Sequence, residues 1–135
     1  MKTLNIVLIV VLGLIMFMPI LGALGIFPAP TADMYNTAEA YDFINMLMTN
    51  ASYINYIMAV VFAFSIFLVA TNRMALLAIL ILPITVNIFS FHTFLDGGMF
   101  TGGAVMANIL LALNVYFLWQ NREKYKIFWD KSALS

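Results

Sequence analysis

The chain has 135 residues, 64% hydrophobic and 9% charged, with six basic and six acidic side chains, one histidine and no cysteine. Soluble proteins draw roughly a quarter of their residues from the charged types, so a soluble globular domain is excluded. Without cysteine the chain holds no disulfide, thiolate nucleophile or iron–sulfur cluster, and its single histidine cannot give a haem two imidazole ligands. It has neither a basic nucleic-acid surface nor a Gly-rich phosphate loop.

No Asp, Glu, Lys or Arg falls between Lys2 and Asp33, Asp42 and Arg73, Arg73 and Asp96, or Asp96 and Arg122. Each run exceeds the ~20 residues a helix needs to cross the hydrocarbon. The pattern predicts an all-α integral membrane four-helix bundle in one membrane domain, residues 1–135. The first span is residues 4–27, too long for the h-region of a secretory signal. Pro19 loosens its outer end, and Gly22 with Gly25 reads as close helix packing.

Pro28 and Pro30 end that span. The acidic loop that follows carries Asp33, Glu39 and Asp42. Within it, Thr37 as N-cap, Glu39 in the first turn, and Ala40, Ile44, Leu47 and Met48 on one face predict a short interfacial helix over 37–50. The second span is 52–70, with Tyr53 and Tyr56 at its start. The tight Thr71-Asn72-Arg73 turn makes the second and third spans antiparallel neighbours.

The third span is 74–95, broken by Asp96, Gly97 and Gly98. The fourth is 103–119, where Ala104, Asn108 and Ala112 read as a packing seam, so Ala112→Phe should destabilise more than Val105→Phe. Residues 120–135 form a basic, aromatic tail suited to anionic headgroups. All six Lys and Arg lie at the N-terminus, at Arg73 or in this tail. The positive-inside rule then puts both termini in the cytoplasm of a prokaryotic inner membrane, and the acidic loop outside.

The third span concentrates the polar groups: Pro83, Thr85, Asn87, Ser90, His92 and Thr93, with Asp96 just beyond. Such groups are costly at membrane depth and face protein or a cavity. At about 100° per residue, Thr85, His92 and Asp96 share one side with Phe89 between them, while Pro83, Asn87 and Ser90 lie nearly opposite. His92 and Asp96, at i and i+4, are within side-chain reach. An aspartate there fixes the imidazole tautomer or favours its charged form, as a proton relay or a donor to a carbonyl requires. The competing structural reading is a histidine bonded to a neighbouring helix or to water, with Asp96 at the outer surface. Asn87 reads as interhelical glue, and Thr85 can refill the carbonyl that Pro83 frees.

The run from Arg73 to Asp96, ending Pro-Ile-Thr-Val-Asn-Ile-Phe-Ser-Phe-His-Thr-Phe-Leu-Asp, resembles the third span of DoxX-like membrane proteins. The closing Asn114-Val-Tyr-Phe-Leu-Trp-Gln-Asn-Arg-Glu-Lys-Tyr resembles that family's fourth-span ending. The resemblance covers about a third of the chain and implies a four-helix membrane fold with a quinone-linked role. Asn87, His92 and Asp96 match the family's polar motif. One departure stands out: where many relatives carry a glutamate and paired glycines in the second span, this chain has Tyr56-Ile57-Met58-Ala59.

Together these features predict a subunit or accessory of a membrane complex, embedded in the lipid bilayer and associated with other subunits or with itself. A quinone or lipid headgroup would bind near His92, Asp96, Thr85 and Asn87. No residue set supports catalysis by the chain alone. The alternatives are a small proton-coupled transporter, which needs a membrane-embedded carboxylate, and a purely structural membrane module.

Overall fold

A computed structural model describes residues 2–128, and all their regular structure is helical. Trp129 and Lys131 of the predicted tail lie outside the described residues. Five α-helices follow in order: α1 (Lys2–Ala23), α2 (Ala38–Thr49), α3 (Ser52–Ala70), α4 (Met74–Phe94) and α5 (Ala104–Gln120). A short 3-10 turn (Ala32–Met34) precedes α2, and a 3-10 segment (Arg122–Phe128) follows α5 at a 70° bend.

By length and composition α1, α3 and α4 can each cross a membrane, and α5 with the segment after it brings the candidate spans to four. At 17 residues, α5 alone covers about 26 Å, close to the ~30 Å hydrocarbon core.

The helices close into a ring: α1 packs on α3, α3 on α4, α4 on α5, and α5 back on α1. Its interior holds Leu12 and Met16 of α1, Phe62 and Leu68 of α3, Leu77, Ala78 and Ile81 of α4, and Leu110 and Phe117 of α5. Lipid is as apolar as leucine, so burial alone cannot hold such helices together. Close packing and interhelical hydrogen bonds do. Asn114 supplies the main pair: its Nδ2 donates to the Ala78 carbonyl at 2.8 Å, and its Oδ1 accepts from the Thr85 hydroxyl at 3.0 Å. Tyr116 adds a hydroxyl donated to Asn5 Oδ1 at 2.7 Å, tying α5 to α1.

Backbone conformation sets where the helices stop. The first helix ends at Ala23, not at residue 27, because Gly25 takes a φ of +71° and the Ile26 N–H turns back to the Leu21 carbonyl at 3.1 Å. That is a glycine C-cap. A Cβ on Gly25 would meet nothing within 4 Å, and one on Gly22 only Phe27 at 3.9 Å. Neither glycine is therefore a close-packing contact. Asn72 ends α3 the same way, with a φ of +56° that asparagine tolerates.

The expected seam on α5 also moves. Ala104 is fully buried, but Ala112 is exposed and Asn108 only half-buried. The inward stripe is Ala104, Ala107, Leu110, Leu113, Asn114 and Phe117. Asn108 instead donates to the Met99 carbonyl at 2.7 Å, in the connection that leads into α5.

Candidate functional site

His92 and Asp96 meet at the end of α4, with Nδ1 2.8 Å from Oδ2. The helix stops at Phe94, so Asp96 belongs to the connection that follows it. The other carboxylate oxygen accepts from the Asn36 backbone N–H at 2.8 Å and from the Asn36 amide at 3.3 Å, while that amide also reaches the Asp96 carbonyl at 3.2 Å. Beside it, the Thr37 hydroxyl donates to the Leu95 carbonyl and accepts from the Ala40 N–H at 3.1 Å. One hydroxyl thus caps α2 and tethers it to α4.

Asp96 does not sit open at the outer surface as expected, because this loop folds over it and leaves it 1% exposed. Burial works against the charged form of Asp96. The Asn36 N–H, the His92 ring and the Asn36 amide outweigh it and hold the carboxyl below its ordinary value. A carboxylate only accepts, so Nδ1 of His92 carries the proton.

Two glycines make room for this arrangement. Gly103 opens α5 directly against the pair: a Cβ there would lie 3.2 Å from Asp96 Oδ2 and 3.3 Å from His92 Cε1. Gly97 has a φ of +83°, and a Cβ would come within 3.1 Å of Asn36 Cβ. Aromatic rings cover the same end. Phe91 packs edge-on to Tyr35 at 6.3 Å and lies 5.8 Å from Phe43 and 5.0 Å from the His92 ring, centroid to centroid.

Below the pair lies a cavity of about 470 Å3 between α1, α3, α4 and α5. Its walls are Ile15, Met18, Pro19, Gly22, Phe27, Phe62, Ile88, Gly103, Met106, Ala107 and Leu110, and His92 is its only ionisable lining residue. Pro19 and Gly22 also border a second recess of about 380 Å3, which includes Ser52, Asn55 and Tyr56. An apolar pocket with one convergent polar group is the usual form of a small-molecule site.

The four residues singled out in the sequence therefore separate. His92 and Asp96 pair. Thr85 is buried deeper in the bundle, where its single proton is shared between Leu82 O at 2.9 Å and Asn114 Oδ1. It does not refill the Ile79 carbonyl, which loses its i+4 donor to Pro83. Asn87 is exposed on the outward side of α4 and bonds to no other helix among the described residues. Phe89 lines an open groove with Asn108 and Trp119, and Ile88 takes the expected place beside His92. Asn36, Gly103 and Asn114 are the residues that sequence reasoning missed. A loop asparagine gave no local signal that it would meet a side chain 60 positions away.

These features define a small, multi-pass, all-helical integral membrane protein. Compared with protein-family models, curated proteins and solved structures, the chain matches none.

Proposed function

We propose that this is a DoxX-like subunit or accessory of a prokaryotic inner-membrane complex, binding a quinone or lipid headgroup in the cavity beneath His92. The observation that carries the reading is the single ionisable group, His92, in an otherwise apolar cavity within the bundle. With Nδ1 committed to Asp96, the ring meets a ligand through Nε2, which has no protein partner among the described residues, and the side chain keeps 18% of its surface accessible. A neutral ring offers Nε2 as acceptor to a hydroxyl, and a protonated ring offers an N–H to a carbonyl. A quinone and its quinol present both groups. The resemblance around Pro83 to Asp96 supports the same ligand class. A transporter reading requires a carboxylate free to load and unload, whereas both Asp96 oxygens are engaged.

The chain has one histidine, so ring-15N NMR of histidine-labelled protein reads this site alone. Titration with decylubiquinone should move the Nε2 resonance, and His92→Phe should weaken binding about five- to tenfold, the worth of one buried hydrogen bond. Unchanged affinity in His92→Phe would remove the site.

The proposed orientation rests on the cytoplasmic placement of every Lys and Arg. With no native cysteine in the background, Asp33→Cys should react with a membrane-impermeant thiol reagent in intact cells and Arg73→Cys should not. Labelling at position 73 would reverse the topology.

A further inference from the structure

The outward face of α4 raises a separate question, independent of the ligand reading. Ile79, Pro83, Asn87, Ser90 and Phe94 follow one another along a single stripe of the helix. All but the half-buried Ser90 are exposed, Phe94 at 81%. Asn87 lies seven residues, about 10 Å, inside the outer end of α4, well within hydrocarbon. Asn114 has both ends of its amide paired. Asn87 makes no hydrogen bond among the described residues and projects where lipid tails would lie. Asparagine at this depth is costly unless it meets protein or water. One position below it on the stripe, Pro83 has no N–H to give the Ile79 carbonyl, so the same face also carries a backbone acceptor without its i+4 donor.

We infer that this face of α4 is the interface of a parallel homodimer, closed by a reciprocal hydrogen bond between the Asn87 amides of two copies. A primary amide carries both a donor and an acceptor. Two copies inserted in the same direction and related by a two-fold axis along the membrane normal bring the same residue together at the same depth. Each Nδ2 then donates to the other Oδ1, so the Asn87 amide of each copy gains a donor and an acceptor partner. A different partner would need an amide, or an equivalent donor and acceptor, at the matching depth. A second copy supplies it by symmetry. The stripe contains no charged side chain, so the two faces approach without repulsion. A buried asparagine on a shared helix seam fixes register in this way in parallel coiled coils.

The test uses the full chain purified in mild detergent and reconstituted in bilayers. Ser90→Cys, the next stripe position outward from Asn87, should form an intermolecular disulfide under mild oxidation. Val60→Cys, 68% exposed on α3, should not. Light scattering should give a protein mass twice 15.1 kDa. Asn87→Leu should raise the dimer dissociation constant about tenfold. A monomeric wild type, equal cross-linking at positions 60 and 90, or a dimer indifferent to Asn87→Leu would each overturn the assignment. If the native dimer forms but cross-links only through position 60, another face is the interface and the inference is wrong.

Discussion

Replacing Asp96 with alanine is expected to release the outer loop and cost about 2–4 kcal/mol of stability, the range for removing one member of a buried, charge-assisted network. The Asn36 N–H, the Asn36 amide and the His92 ring all lose their common acceptor. Amide exchange at Asn36 and through the first turn of α2 should rise sharply, while α5 remains protected near its inward stripe. Equal exchange at Asn36 in variant and wild type would show that the Thr37 tether and the aromatic rings hold the loop without the carboxylate.

The same network sets a pH dependence of known sign. The carboxyl of Asp96 is held below its ordinary value of 3.8 in the folded protein. Its contribution is therefore complete above that value and is lost as pH falls through the lower native one. Other carboxylates titrate in the same range, so the quantity to measure is the stability difference between wild type and Asp96→Asn. That gap should narrow as pH falls below about 4. A gap that widened below about pH 4 would reverse the assignment.

Ala78→Phe should be comparably damaging, costing about 3 kcal/mol at the upper end of the overpacking range. Ala78 has no exposed surface, lies in the core beside Leu77 and Ile81, and offers the carbonyl that Asn114 takes at 2.8 Å. A ring there pushes α4 away from α5 and breaks that hydrogen bond together with the packing. Ala112→Phe is the matched control. Its site is exposed, so the change should stay within about 0.5 kcal/mol of wild type. Thermal unfolding of both variants in the same detergent decides the matter, and equal losses would mean that the inward stripe of α5 is misplaced.

Composition and local pattern alone determined that the protein is helical and apolar enough to cross a membrane. Long uncharged runs can satisfy their backbone in lipid only as helices, because each N–H finds its partner within its own segment. Thr37 was readable as an N-cap and His92 with Asp96 as an i, i+4 pair for the same reason: both depend on chain neighbours. Tertiary structure decided everything that required a partner from elsewhere. It put Asn36 over Asp96, turned Ala112 outward and Asn114 inward, and separated Thr85 from His92. In a helix that is apolar nearly all round, the hydrophobic pattern does not mark an inner face. The inward side is chosen by where asparagines find carbonyls and where glycines and alanines let neighbouring helices approach, and both depend on chain segments remote in sequence.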